Sequence, residues 1–269
     1  MTSLLLRLKL AKQRGEALLT EENITELPVD PFAIASKHDI VVQAKPDTES
    51  GVSGMLLRHG NAFGILYASD IPNEGFQRFS VAHELGHFIL HRDQRQSFNC
   101  DKESVYSGAD TIRVIEREAD DFASNLLMPG DLLREWISNQ RIDLHVLSAL
   151  AKRFQVSFEA LCIRFIKFTT QRAILVYWDN GFVKYEWRSS SAVKTRARIR
   201  RTDDPQEPLP GTLAADSTVE QEWDGTEMSA AIWCPEEAPH MKLREFKHSY
   251  TTGDRVLTLL LLESAEPRS

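Results

Sequence analysis

The chain has 269 residues, 42% of them hydrophobic and 26% charged, and a formal net charge of −7 from 32 Lys and Arg against 39 Asp and Glu. That length allows one large or two medium domains with ample core, and the acidic balance works against strong nonspecific binding of nucleic acid by the chain as a whole. Cys100, Cys162 and Cys234 are far apart and odd in number, which fits neither a disulfide framework nor a thiolate zinc site and points to a reducing cytoplasm.

Residues 3–19 read as a helix. Leu4, Leu5 and Leu6 are soon interrupted by Arg7, Lys9, Lys12 and Arg14, the pattern of an amphipathic helix rather than of a signal peptide. No apolar run reaches membrane-spanning length, so no membrane association is expected. Asp30 followed by Pro31 is an N-cap and first-turn pair for a second helix over about 30–38. Residues 40–44, 54–58 and 62–67 read as short strands, with His59-Gly60-Asn61 as a hairpin turn. The segment 62–67 is the expected place for a substrate peptide to add as a further strand.

The next segment carries the chemistry. Phe79-Ser80-Val81-Ala82-His83-Glu84-Leu85-Gly86-His87-Phe88-Ile89-Leu90-His91 contains His-Glu-x-x-His on an apolar, helical background. Two residues four apart on a helix stand about 40° apart around its axis and one turn along it, so His83 and His87 can grip one metal ion. Glu84 leaves the same helix beside the first ligand, where it can take a proton from a metal-held water. A helix bearing two merely solvated histidines is the plainer alternative, but an apolar helix buries them, and buried imidazoles need partners. Gly86 costs helix propensity and leaves room for a metal or a neighbouring backbone. His91, one turn beyond His87, reads as a rim residue or a partner behind the ligands, since a fourth protein ligand would close the position that water needs.

A polar loop over about 92–110 separates this helix from a second amphipathic one. In the latter, Ile115, Ala119, Phe122, Ala123, Leu126 and Leu127 fall at helical spacing, and Pro129 ends it. Glu116 and Asp120 share a face with that stripe. A buried carboxylate is costly unless it is paired or binds metal, so Glu116 reads as the third ligand. Asp120 reads as the group that accepts a hydrogen bond from a ligand histidine and fixes its tautomer. Arg113, Arg117, Asp121 and Glu118 fit a solvated face. Tyr67, Tyr106 and His91 are the candidate donors to a developing oxyanion.

These segments resemble the ImmA/IrrE family of metallopeptidases. The likeness rests on HELGHFILH with the preceding Arg78-Phe79-Ser80, on EREADDFASNLLMP, and on the entry segment Leu27 to Ala35, and it covers about residues 20–168. It implies a gluzincin-like site with His83, His87 and Glu116 on Zn2+ and Glu84 as general base. It also implies an endopeptidase of narrow specificity that inactivates a helix-turn-helix transcriptional repressor during stress or mobile-element induction. The competing class is a non-proteolytic regulator that binds a repressor or DNA around a structural or vestigial metal site. Retention of Glu84 argues against it, because a structural site needs ligands but no base.

Residues 144–168 pack as two helices around the turn Gln155-Val156-Ser157 and are similar to the helix-turn-helix that follows the protease core in this family. The second helix carries only Arg164 and Lys167 against Glu159, too few basic and amide groups for a DNA-reading helix. Packing or partner docking is therefore expected, and direct DNA binding is not. From Ala173 the chain becomes strand-rich. Residues 173–178 and 182–187 flank Asp179-Asn180-Gly181, a strong hairpin signal. Lys194, Arg196, Arg198 and Arg200 alternate as an edge-strand face or an extended loop. Residues 232–234 and 255–262 are expected to complete the sheet, in a module similar to the GAF-like domain of some relatives.

The expected fold is thus α+β in three parts. Residues 1–135 form a mostly helical zincin-like protease core with a small β-sheet, 136–170 a helix-turn-helix-like helical segment, and 171–269 a strand-rich α/β module of sensory or regulatory character.

Overall fold

The computed structural model describes residues 3–45, 53–70, 73–93, 97–99, 109–138, 140–202, 205–251 and 253–264. The chain is a mixed α+β protein with a helix-rich first part and a strand-rich C-terminal part. It packs as two compact units, residues 1–130 with 151–157 and residues 131–150 with 158–269.

The first unit opens with α1 (Leu4–Glu21), capped by the Ser3 hydroxyl on the amide of Leu6. Helix α2 (Pro31–Lys37) starts on Asp30, whose carboxylate accepts from the Phe32 amide, with Pro31 in the first turn, where no amide hydrogen is needed. Strands β1 (Ile40–Lys45), β2 (Gly54–His59) and β3 (Ala62–Ala68) follow, then α3 (Glu74–His91), β4 (Ser97–Asn99) and α4 (Ala109–Leu127). The sheet order is β1-β3-β2-β4, with β1 parallel to β3 and the other pairs antiparallel. Strand β3 is therefore interior. Phe63 to Ala68 pair with β1 on one side and Ala62 to Tyr67 with β2 on the other, so a substrate strand cannot add beside 62–67. The sequence pattern locates a strand but not its neighbours. Strand β4 falls inside the stretch read as a loop, because three residues carry too little alternation to announce themselves.

Helix α3 covers this sheet, and α4 packs against α3 and α1 to complete the core. Leu56 and Ile65 from the strands meet Val81, Leu85 and Phe88 from α3 and Phe122, Ala123, Leu126 and Leu127 from α4, nearly all without solvent exposure. Glycine sets two of the helix contacts. A Cβ on Gly15 of α1 would lie 2.6 Å from the Phe122 carbonyl of α4, and one on Gly86 of α3 would lie 3.2 Å from the Ala119 Cα. The room left by Gly86 is thus taken by a neighbouring backbone. Helix α4 is drawn in against both α1 and α3.

In the second unit, α5 (Gly130–Ser138), α6 (Leu144–Phe154) and α7 (Phe158–Phe168) precede the sheet, and the end of α6 belongs to the first unit. Asp143 accepts from the Val146 amide at the start of α6. Leu161, Cys162, Phe165, Ile166 and even Arg164 of α7 are buried, and α7 packs on the sheet at β5 (Arg172–Asp179) and β6 (Phe182–Arg188). The turn between these strands has φ of 53° at Asn180 and 79° at Gly181, the left-handed pair that Asn-Gly supplies at low cost.

Helix α8 (Ser190–Lys194), β7 (Gln221–Ser229), α9 (Ala230–Trp233), β8 (Lys242–Ser249) and β9 (Arg255–Leu262) complete the unit. The antiparallel order is β6-β5-β9-β8-β7. Residues 232–234 are not a strand: Trp233 ends the short helix α9 and is fully buried against Trp178, with ring centroids 6.1 Å apart. Residues 197–200 form an extended segment outside the sheet, with Ala197 and Ile199 buried and Arg198 and Arg200 exposed. Of the alternating cations, Lys194 ends α8 and Arg196 lies in the turn after it at a φ of 62°, so only Arg198 and Arg200 fit the extended-loop reading.

One buried ion pair ties the module together. Arg172 is 6% exposed. It donates to Glu237, to the Glu263 carbonyl at 2.8 Å and to the Thr195 hydroxyl at 3.0 Å. Removing one partner leaves the other charge buried and uncompensated, at a cost of about 3–5 kcal/mol. Arg172→Ala is expected to lower the urea midpoint accordingly. A shift equivalent to under about 1 kcal/mol, the range of an exposed pair, would show that the pair is solvated.

Candidate metal centre

Helix α3 carries the motif on its inner face. His83, Glu84 and His87 are 9%, 1% and 0% exposed. From α4, Glu116 reaches the same point. The His83 Nε2 lies 3.0 Å from the His87 Nε2 and 3.2 Å from the Glu116 Oε2, and the His87 Nε2 lies 3.5 Å from the Glu116 Oε1. One ligand atom from each of the three residues lies within 4.8 Å of the others.

The donor set fits a metal. A tetrahedral zinc ion bound at about 2.0–2.1 Å sets its ligand atoms about 3.3 Å apart, close to the three separations observed. The proton positions agree. The His83 Nδ1 faces the Asp120 Oδ1 at 3.0 Å, and an ionised carboxylate only accepts, so the His83 Nδ1–H donates. The Nε2 of His83 then presents a lone pair to the Nε2 of His87, an arrangement that a shared cation relieves. Burial works against the charged forms here. It lowers the His87 pKa and acts to raise that of Glu116, where hydrogen bonds with His83 and His87 and their charges prevail and hold the carboxyl well below the usual carboxylate range.

Glu84 is held by a contact that sequence reading passes over. A Cβ built on Gly54 of β2 would lie 2.6 Å from the Glu84 Oε1 and 3.1–3.2 Å from its Cγ and Cδ. The glycine is the space in which the Glu84 carboxylate sits. The available signal was a glycine within a strand, which often marks a close approach. Gly54→Ala is expected to displace the carboxylate while leaving the ligands in place. A misplacement on the order of 1 Å costs about 10²-fold in rate, so peptide cleavage should fall by that order with zinc content unchanged. Loss of zinc in this variant, or full activity, would contradict the assignment.

The remaining candidates separate. Tyr67 pairs with Gly54 across β2 and β3 and sets its ring edge against Phe32, with centroids 5.4 Å apart, which places it close to the strand position beside Glu84. Tyr106 lies outside the described residues. His91 is not at a rim. It is 2% exposed, its Nδ1 faces the His87 Nδ1 at 3.1 Å and its Nε2 faces the Glu118 Oε2 at 3.1 Å. Burial and the neighbouring His87 push its pKa down to about 4. Glu118, assigned above to a solvated face, is 7% exposed. Its spacing from Ile115 and Phe122, three before and four after, puts it on the apolar stripe, and that was the signal available for it.

A sheet covered by a His-Glu-x-x-His helix, with a second helix packed on that one and supplying a carboxylate, defines a metallopeptidase-like domain. Residues 35–165 match the family model Peptidase_M78, the IrrE N-terminal-like domain, which supports an ImmA/IrrE family protein. Comparison with curated proteins gives no match. Among solved structures, the chain is similar to a Mycobacterium tuberculosis transcriptional regulator, with a TM-score of 0.54 at 13% identity over 94% of this chain and 87% of that one. At that identity the likeness is one of fold.

Proposed function

We propose that this chain is a zinc-dependent endopeptidase that cleaves a helix-turn-helix transcriptional repressor in a stress or mobile-element response. The observation that carries the reading is the convergence of His83, His87 and Glu116 on one point, with a buried carboxylate, Glu84, next to the first of them on the same helix. Zinc held there would lend Lewis acidity to a water and to the scissile carbonyl. Glu84 takes the proton of the attacking water and returns it to the leaving amine. Asp120 keeps the His83 Nε2 free by accepting from Nδ1. Tyr67 is the proposed further donor to the developing oxyanion. Residues 171–269 are proposed as the regulatory module. Among the described residues no helix is long and apolar enough to cross a membrane, and Cys162 and Cys234 are buried free thiols. Both features suit the proposed cytoplasmic setting.

A second reading, a regulator that acts without proteolysis, draws on the fold likeness to a protein described as a transcriptional regulator. A reporter controlled by the repressor encoded nearest to this chain separates the two. Proteolysis predicts that the wild-type chain relieves repression and Glu84→Gln does not. Relief by the Glu84→Gln variant would overturn the proteolytic reading in favour of sequestration.

A further inference from the structure

Behind His87 runs a chain of polar contacts that ends on the first helix. The His87 Nδ1 meets the His91 Nδ1 at 3.1 Å, and the His91 Nε2 meets the Glu118 Oε2 at 3.1 Å. The two oxygens of Glu118 accept from the Arg7 Nε at 2.7 Å and the Arg7 Nη2 at 2.6 Å. Three elements contribute: α3 supplies both histidines, α4 supplies Glu118 and α1 supplies Arg7. His87, His91 and Glu118 are all buried, while Arg7 is half-buried.

Only one proton arrangement satisfies this chain when the His87 Nε2 serves as a ligand. The Glu118 carboxylate accepts and does not donate, so the proton of His91 sits on Nε2 and its Nδ1 is an acceptor. The His87 Nδ1 must then carry a proton and donate to it, which leaves the His87 Nε2 lone pair directed at Glu116 and His83. The carboxylate thus sets the tautomer of His87 through an intervening imidazole. Arg7 fixes the carboxylate with a two-point fork, the geometry in which guanidinium and carboxylate orient one another most strongly. His83 is oriented differently, by the single, half-exposed carboxylate of Asp120.

We infer that Arg7, Glu118 and His91 are positioning residues of the metal centre, acting in series to fix the ring orientation and tautomer of His87. The inference rests on the metal-site reading above. It brings into the centre a residue of α1 that lies outside the region matched by the family model, which begins at residue 35. The N-terminal helix is accordingly part of the site's framework as well as a cover for α4.

The test is zinc affinity, read by competition with a chromophoric chelator, together with imidazole nitrogen shifts of the zinc-loaded full chain. Changes to groups behind a ligand cost about 10–100-fold in metal affinity. Glu118→Ala and His91→Leu should each fall in that range and disturb the His87 tautomer. Arg7→Ala should weaken zinc in the same direction, by up to about tenfold, at the lower end of that range. His91→Gln, whose amide offers an acceptor and a donor in place of the two ring nitrogens, should recover most of the affinity lost in His91→Leu. Leu18→Ala, which opens a fully buried site on α1, the helix of Arg7, should lower stability with zinc affinity unchanged. The inference is overturned if Glu118→Ala binds zinc as tightly as the wild type with His87 still protonated on Nδ1. It is equally overturned if Leu18→Ala weakens zinc as much as Glu118→Ala does. A wild-type chain that binds no zinc would instead overturn the metal-site reading and this inference with it.

Discussion

Glu84→Gln is expected to bind one equivalent of zinc per chain and to cleave peptide about 10²–10⁴-fold more slowly than the wild type, the usual contribution of a positioned general base. The substitution keeps the shape of a side chain that is 1% exposed and confined against Gly54, so packing is preserved. It removes only the capacity to accept a proton, since a neutral amide cannot take one from the attacking water. The ligand atoms of His83, His87 and Glu116 belong to other residues and stay in place. Metal analysis and initial rates on one fixed peptide read the two quantities separately. Cleavage within a few fold of wild type would remove Glu84 from its assigned role, and loss of zinc would make it a ligand.

Glu116→Ala should have the larger effect on the metal. It deletes the ligand proposed from α4 and leaves two imidazoles on a single helix. The loss in zinc affinity should exceed about 100-fold, beyond the range produced by groups that act behind a ligand, and activity should fall with it. The folded state should tolerate the change, because the Glu116 side chain is 34% exposed and its observed partners are the two histidines. The contrast with Glu84→Gln is the informative part: one variant loses zinc, the other retains it, and both lose cleavage. Retention of zinc by Glu116→Ala at wild-type affinity would show that the third ligand lies elsewhere.

The parts of this protein legible in its sequence are those where one helix presents its chemistry at a regular spacing. His83 and His87 are four apart on α3, and Glu116 and Asp120 are four apart on α4. Their convergence follows from helical geometry and not from a shared buried stripe, since the Glu116 and Asp120 side chains are 34% and 56% exposed and it is Glu118 that lies on the stripe. Contacts between elements were less legible. Nothing in residues 62–67 says that β3 is interior, and nothing in Gly54 alone says that Glu84 fills the space beside it. Glu118 looked like a surface charge because its partners, Arg7 and His91, lie 111 and 27 residues away.

In the C-terminal module, β8 was hidden by its own core. Glu245 and Lys247 are 0% and 3% exposed. They point charge inward, where Glu245 accepts from the Trp233 indole and the Ala214 amide and Lys247 donates to the Asp216 carbonyl. Burial pushes the Glu245 carboxyl up. Inward charges invert the alternation by which strands are recognised. Strand β7 is a polar edge with an irregular register between Glu222 and Thr226. There Gly225 takes a φ of +83° with the Phe246 ring packed against its α-carbon, and no simple period survives.

Proteolysis is read most directly from the intact mass of the repressor encoded nearest to this chain after incubation with the zinc-loaded protein, with Glu84→Gln as the control. Two fragments from one discrete cut are expected, with masses that sum to that of the repressor plus one water, and an uncut repressor with the control. An uncut repressor with the zinc-loaded wild type, bound to it all the same, would overturn the proteolytic reading and leave a regulator that works by binding.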